Sequence, residues 1–138
     1  MSGFKHIEDE ISRHIIPRYH RVCEIGVGRN FHAAEQIHGS GLEIFCTDII
    51  SFPDETPVKC IFDSIFSPVL SLYTGLDLIY AIRPHEEMIT ALISLARTVN
   101  CDLIVYHLGF ERFLGAEIIP HASIPLFFYH KKCVSCRV

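Results

Sequence analysis

The residues in this sequence that could do chemistry stand at the ends of short apolar segments. Glu24-Ile25-Gly26-Val27-Gly28 ends the first of these segments, and Asp48 ends the second, twenty residues after Gly28. A glycine turn lets a ligand approach the backbone, and the N–H groups of a following helix attract its anionic portion. A carboxylate placed like Asp48 accepts hydrogen bonds from ribose hydroxyls. The spacing therefore favours a nucleoside site, to which Asp63, at the end of a third segment, would also belong.

The rest of the sequence predicts the elements that position these residues. From residue 21 to 107, β-favouring runs alternate with segments whose apolar residues recur at helical spacing. Such alternation is typical of a doubly wound parallel sheet, so we expect a single α/β domain over residues 1–138 with a Rossmann-like, mostly parallel sheet of five or more strands and flanking helices. Ligands of such sheets bind outside the carboxyl ends of the strands, where Gly26, Asp48, Asp63, Arg83 and His107 all fall.

The element boundaries follow from apolar runs, prolines and glycines. A leading amphipathic helix is expected over 4–16, with apolar residues at 4, 7, 11 and 15 and Glu8 on the polar side. The other expected helices are 31–38, a short one bracketed by Ser67, Pro68 and Gly75, and a longer one opened by Pro84. The expected strands are 21–25, 42–48, 58–63, 76–82 and 103–107, and the apolar run 76–82 predicts a central position.

Two regions depart from regular alternation. Only residues 49–57, with Pro53 and Pro57, separate the second and third strands, so a loop should replace the usual crossover helix. Beyond residue 107 we expect a short helix at 110–114 and a small hairpin formed by the runs 116–119 and 126–129.

Composition excludes several function classes. The 138 residues carry 12 Lys and Arg against 16 Asp and Glu, a formal charge of −4, which disfavours binding to nucleic acid through its phosphates. Charged residues interrupt every apolar run well before the ~20 residues that span a bilayer, and the N-terminus lacks the apolar segment of a signal peptide. We therefore expect a cytoplasmic protein with no membrane segment.

The six cysteines and nine histidines predict no metal site within the chain. Cys133 and Cys136 form a CxxC, which could be half of a zinc site, a redox pair or a disulfide, but no second CxxC or closely spaced Cys/His pair completes a metal site. A plain tail is our first interpretation and a metal between subunits the second. The other four cysteines lie in or beside apolar, β-prone runs, and we expect them to be reduced core residues: Cys23, Cys46, Cys60 and Cys101.

The motif Glu24-x-Gly26-x-Gly28 resembles that of the class I S-adenosylmethionine-dependent methyltransferases, and the likeness extends over residues 4–107. The resemblance implies that the backbone around the two glycines meets the methionine part of the cofactor, Asp48 the ribose and Asp63 the adenine. Asn30 stands where these enzymes have a third glycine. Glu24 would hold the cofactor's amino group through water or accept hydrogen bonds from the turn.

A closer resemblance is to a small archaeal family of uncharacterised proteins, numbered 0146, with a methyltransferase-like Rossmann fold. It covers nearly the whole chain and is carried by Glu24-Ile25-Gly26-Val27-Gly28-Arg29, Thr47-Asp48-Ile49 and Asp77-Leu78-Ile79-Tyr80-Ala81-Ile82-Arg83-Pro84. Because the family has no established activity, the resemblance implies a fold and a ligand but no reaction.

The segment Arg83-Pro84-His85 follows the fourth strand, where methyltransferases often hold their substrates. Arg83 could clamp an anionic acceptor or pair with a nearby acid, Pro84 could simply start the helix, and His85 could act as a general base or occupy the first turn. We assign no catalytic residue.

Three function hypotheses remain open. The first is a protein that binds S-adenosylmethionine or a related nucleoside, as a small methyltransferase of unspecified acceptor. The second is a non-catalytic cofactor-binding or protein-interaction module. Whether the protein forms a homodimer is also left open. The third is an NAD-linked enzyme, which the bulky Phe31 disfavours because the dinucleotide fingerprint requires glycine there.

Overall fold

The structure, a computed structural model, describes residues 3–107, 115–120 and 122–133, with side chains from His6 onward. Its helices are α1 (Gly3–Ile15), α2 (His32–Gly39) and α3 (Glu86–Val99). Its strands are β1 (Arg21–Ile25), β2 (Glu43–Asp48), β3 (Lys59–Phe62), β4 (Leu78–Ile82), β5 (Asp102–Tyr106), β6 (Glu117–Ile118) and β7 (Leu126–His130). They form one sheet in the order β3-β2-β1-β4-β5-β7-β6.

The sheet order places the carboxyl ends of β1 and β4 at the centre of one edge. The five strands β1 to β5 are parallel, as the sequence predicts, and β4 is central. The chain runs outward from β1 to β2 and β3, then returns to β4 on the other side of β1. The crevice between β1 and β4 is therefore the topological switch point, where α/β sheets of this type bind ligands.

Both faces of the central strands β1, β4 and β5 are buried, which explains their nearly continuous apolar runs. On one face Ile79 and Leu103 pack with α3 through Ile89 and Leu92. On the other face Val22 and Leu78 pack with α1 and α2 through residues that include Ile11, Ile15 and Ile37. No helix in the described part of the chain combines the length and apolar character needed to cross a membrane.

Several expected boundaries need correction. The short helix predicted between Ser67 and Gly75 is a single 3₁₀ turn, Leu70–Leu72; its N-cap position is Val69, without a side-chain cap, and Ser67 instead forms a β-bridge with Ser64. Pro84 does not open the long helix: α3 begins at Glu86, after an extended His85. The crossover from β2 to β3 contains no helix, as predicted.

The C-terminal part of the sheet confirms the predicted hairpin and extends it. β6 and β7 are antiparallel, and β7 also pairs with β5. The helix predicted at 110–114 lies outside the described residues. Asp102 fixes the end of β7, since its carboxylate accepts a hydrogen bond from the Lys132 backbone N–H at 2.7 Å and another from the Tyr19 hydroxyl at 2.5 Å.

We predict that Tyr19→Phe lowers the free energy of unfolding by about 1.5 kcal/mol, the lower end for a hydrogen bond to a charged group. Urea denaturation measures this change. In an Asp102→Asn background the same substitution should cost clearly less, because the charged acceptor is already gone. Equal effects in the two backgrounds would show that the Tyr19 hydroxyl gains nothing from Asp102.

Candidate functional site

A cavity of about 360 Å³ opens at the carboxyl edge of the sheet, at the switch point between β1 and β4. Six of the nine site residues predicted from the sequence line it: Gly26, Asp48, Asp63, Arg83, Pro84 and His85. Glu87 adds a further carboxylate, and the remaining wall is largely apolar, with Ile25, Ile49, Ile65, Phe66 and Met88. The other three predicted residues, Glu24, Gly28 and Asn30, lie outside the lining.

The glycine turn after β1 has a backbone that requires glycine. Gly26 has φ +77° and Gly28 has φ +60°, both in the left-handed region that side chains with a Cβ rarely adopt. The Gly26 N–H donates to the Thr47 carbonyl at 2.8 Å, which joins the turn to β2. A Cβ on Gly26 would meet Met88 at 3.5 Å, an ordinary contact, so the backbone angle rather than crowding by the protein selects glycine here.

Asp48 organises this turn. Its Oδ2 accepts a hydrogen bond from the Gly28 N–H at 2.7 Å, and its Oδ1 accepts one from the Ile49 N–H at 2.7 Å. The residue is half-buried and lines the cavity. A single carboxylate therefore holds both the end of β2 and the turn after β1 while it faces the cavity.

Asp63 is more deeply buried and forms part of the wall. Only 6% of its surface is exposed. Its Oδ2 accepts a hydrogen bond from the Tyr73 hydroxyl at 2.5 Å, and its Oδ1 accepts one from the Val69 N–H at 3.2 Å. Burial and this carboxylate raise the pKa of Tyr73, so the phenol stays protonated and keeps donating to Asp63.

Glu24 points away from the cavity, into the face of the sheet covered by α1 and α2. It is 2% exposed, and its Oε1 accepts a hydrogen bond from the Tyr80 hydroxyl at 2.8 Å. Burial, followed by the nearby carboxylates of Glu8 and Asp48, raises the pKa of Glu24 to about 8. This carboxyl is therefore largely neutral at neutral pH. It is buried beneath the candidate site and does not line the cavity.

Asn30 and Arg83 share a partner that the sequence analysis missed. Glu8 of α1 is 1% exposed, and its Oε2 accepts hydrogen bonds from Asn30 Nδ2 at 3.0 Å and Arg83 Nη1 at 3.4 Å. The expectation that Glu8 lies on the polar side of α1 is wrong. Residues 4, 8, 11 and 15 share one helical face, so the spacing itself could have revealed a buried acid.

The position of Arg83 is compatible with both roles that the sequence left open, binding an anionic acceptor and pairing with a nearby acid. Its φ is +52°, and its backbone N–H donates to the Tyr106 carbonyl at 2.8 Å. The guanidinium carbon lies 5.3 Å from the centre of the Tyr106 ring, within cation–π range. With Glu8 as the acid partner, Arg83 serves a structural ion pair, while its side chain, 44% exposed, also lines the cavity.

His107 lies apart from the cavity lining despite its position at the end of β5. It is 2% exposed, stacks on Phe127 with 4.6 Å between ring centres, and has Nε2 2.7 Å from the Tyr129 hydroxyl. Burial lowers its pKa, so it is a neutral core histidine. Within the described residues no cluster of three or more His, Cys, Asp or Glu side chains could hold a metal ion.

Comparison with known proteins identifies the family. The model of the uncharacterised protein family UPF0146 matches residues 7–130. The chain belongs to this family. A UPF0146 protein from Pyrococcus horikoshii is 32% identical over 126 residues, which make up 88% of this chain and 95% of that protein. A UPF0146 protein from Archaeoglobus fulgidus is 29% identical over 126 residues, with 89% and 95% coverage.

Solved methyltransferases share the fold of this UPF0146 protein. A SAM-dependent methyltransferase from Archaeoglobus fulgidus aligns with a TM-score of 0.55 and 17% identity, covering 73% of this chain and 51% of that one. The MycE methyltransferase from the mycinamycin biosynthetic pathway, in complex with Mg and SAH, aligns with a TM-score of 0.55 and 16% identity, covering 95% and 48%. The UPF0146 chain thus spans about half the length of these two methyltransferases.

We predict that Glu24 makes the protein less stable as pH rises. Between its ordinary value of 4.5 and its folded pKa of about 8, the unfolded state releases the proton that the folded state retains. The free energy of unfolding therefore falls through this window, by up to about 1.4 kcal/mol per pH unit for this one group.

Denaturation of the wild type and of Glu24→Gln between pH 5 and pH 9 isolates this effect, because glutamine keeps an acceptor for Tyr80 and does not titrate. The stability of the variant relative to the wild type should increase with pH. Two parallel curves would mean that Glu24 titrates normally.

Proposed function

We propose that this UPF0146 protein binds S-adenosylmethionine, or a related nucleoside, in the cavity between β1 and β4. The observation that carries the proposal is the position of Asp48, which holds the glycine turn and lines the cavity at the same time. A carboxylate has about four lone-pair sites, and the two backbone N–H groups use two of them. The others are available to the hydroxyls of a ribose.

The charge of the lining suits a cationic ligand. Three carboxylates, Asp48, Asp63 and Glu87, face the cavity together with one guanidinium, that of Arg83, which already pairs with Glu8. A sulfonium is favoured by this negative surplus, whereas the two phosphates of a dinucleotide are not. Apolar side chains such as Ile49 and Phe66 offer a surface for a purine base.

The resemblance to class I methyltransferases implies a role for each site residue, and each role corresponds to a specific contact with the cofactor. In this proposal the backbone at Gly26 and Gly28 meets the methionine part and Asp48 the ribose. Asp63 reaches the adenine from the wall with the lone pairs that Tyr73 and Val69 leave unused. Glu24 and Asn30 act indirectly: Asn30 bonds Glu8 beside the turn, and Glu24 is buried beneath it.

The reaction we propose is methyl transfer. S-Adenosylmethionine supplies an electrophilic methyl group on its sulfonium, and the protein would have to orient an acceptor against it, since positioning provides much of the acceleration in such displacements. Arg83, Pro84 and His85 line the cavity after β4 and are the residues that could orient this acceptor. His85 is exposed and could accept a proton from it.

A second candidate is a cofactor-binding module without transferase activity. The observation that favours it is the engagement of Arg83 by Glu8 and by the Tyr106 ring, which gives this arginine a structural purpose. The two candidates share the same cavity and ligand and differ only in whether the methyl group of the ligand is transferred to an acceptor.

We predict that S-adenosylhomocysteine binds the wild type and that Asp48→Ala weakens binding by roughly 10- to 100-fold, because a charged hydrogen-bond acceptor is worth about 1.5–3 kcal/mol. Isothermal titration calorimetry measures both affinities. Asp54→Ala is the matched control, since Asp54 is an exposed acid in the β2–β3 crossover and does not line the cavity.

Equal affinity in the Asp48 and Asp54 variants, with both folded, would remove Asp48 from the site. NAD and ATP serve as competing ligands in the same titration. If NAD binds and S-adenosylhomocysteine does not, the proposed cofactor is wrong.

Arg83→Lys separates the two candidates. The lysine keeps the charge but loses the planar fork, so the Glu8 pair weakens and we expect Tm to fall by about 2–4 °C, equivalent to about 1 kcal/mol. Affinity for S-adenosylhomocysteine should change little, and methyl label transferred from S-adenosylmethionine to a cell-extract fraction should decrease. If the wild type transfers no label to any fraction while the variant still loses stability, the module is correct and the transferase is not.

A further inference from the structure

Two cysteines face each other across the strands β2 and β3. Cys46 and Cys60 are direct partners in the parallel register of these strands, so their side chains project from the same face of the sheet. Both are free thiols, and each is close enough to influence the pKa of the other. The pair is separate from the cavity lining.

The missing crossover helix explains why one of these thiols is accessible. Residues 49–58 connect β2 to β3 without a helix that would cover this end of the sheet. Cys46 is fully buried, but Cys60 is only half-buried, and its thiol donates to the Val58 carbonyl at 3.4 Å. The expectation that Cys60 is an ordinary core residue therefore holds only in part.

The backbone geometry is compatible with a covalent link. Neighbouring strands in a sheet lie about 4.7–4.9 Å apart, and disulfides join residues whose Cα atoms are about 4.4–6.8 Å apart. Directly paired residues on neighbouring strands therefore meet the Cα separation that a disulfide requires. Two other free cysteines, Cys23 and Cys101, are fully buried in the core on the opposite face, where Cys60 cannot reach them.

We propose that Cys46 and Cys60 are a modification site, which closes to an intramolecular disulfide when the protein meets a low-molecular-weight disulfide such as oxidised glutathione. The more accessible Cys60 loses its proton to water, and its sulfur attacks the glutathione disulfide. One glutathione thiolate leaves, and a mixed disulfide remains on Cys60.

The second step completes the exchange. Cys46 loses its proton, its sulfur attacks Cys60 Sγ, and the second glutathione thiolate leaves. The two cysteines are oxidised by two electrons, and one glutathione disulfide is reduced to two thiols, which take up the two protons. Burial raises the pKa of both cysteine thiols, so we expect closure over hours rather than seconds at neutral pH.

The disulfide would stabilise the β2–β3 unit, which has no crossover helix to cover it. It closes the loop between Cys46 and Cys60, which contains the irregular crossover, and reduces the freedom of the unfolded chain. For a loop of about this length we expect Tm to rise by roughly 5–10 °C on oxidation.

The test is peptide mapping of the folded, full-length protein after prolonged incubation with oxidised glutathione, followed by alkylation of free thiols and digestion with trypsin. Lys59 lies between the two cysteines, so trypsin places them on separate peptides. We expect a disulfide-linked pair of these peptides, two hydrogen atoms lighter than their sum, and the increase in Tm.

Cys60→Ser is the matched control, since serine preserves the size of a half-buried side chain and cannot be oxidised in this way. It should give neither the linked peptides nor the increase in Tm. A chain with Cys133→Ser and Cys136→Ser should behave like the wild type. Recovery of alkylated Cys46 and Cys60 from the oxidised wild type, or a link from either of them to Cys133 or Cys136, would overturn the proposal.

Discussion

The carboxylate of Asp48 is the interaction on which the candidate site depends. Parallel strands end at the same edge of a sheet, but nothing in that arrangement fixes the backbone that follows them. Asp48 does so by accepting the N–H of Gly28 from one strand end and that of Ile49 from another. The left-handed glycines make the turn accessible to the carboxylate, and the carboxylate holds the turn in a shape that a ligand can approach.

A second buried acid extends this organisation to the leading helix. Glu8 joins α1 to Asn30 beside the glycine turn and to Arg83 after β4, the two segments that border the switch point. These charged and polar donors both bind its Oε2 and offset part of the cost of burying a carboxylate, whereas Oε1 is buried without a hydrogen-bond partner among the described residues. Glu24, close by, remains mostly neutral because its pKa is about 8, which limits the negative charge that the interior must hold.

The sequence predicts most of the fold and the centre of the candidate site, for identifiable reasons. Strand ends marked by Gly26, Asp48 and Asp63 are local signals, and parallel topology brings them to one edge. The pairing of Arg83 with Glu8 joins residues 75 positions apart and could not be inferred from spacing along the chain. The start signal at Ser67 and Pro68 predicts a longer helix than the 3₁₀ turn at Leu70–Leu72, and it gives no indication of the local β-bridge that Ser67 forms with Ser64, three residues earlier.

The most direct test of this account is amide NMR during titration with S-adenosylhomocysteine. The N–H groups of Gly28 and Ile49 both donate to Asp48, so a ribose bound by that carboxylate must change the shifts of both. We predict that these two amides shift together, with the Gly26 amide, at the same ligand concentrations. Unchanged Gly28 and Ile49 amides, with shifts confined to the outer surface of α3 around Thr90 and Arg97, would contradict the account.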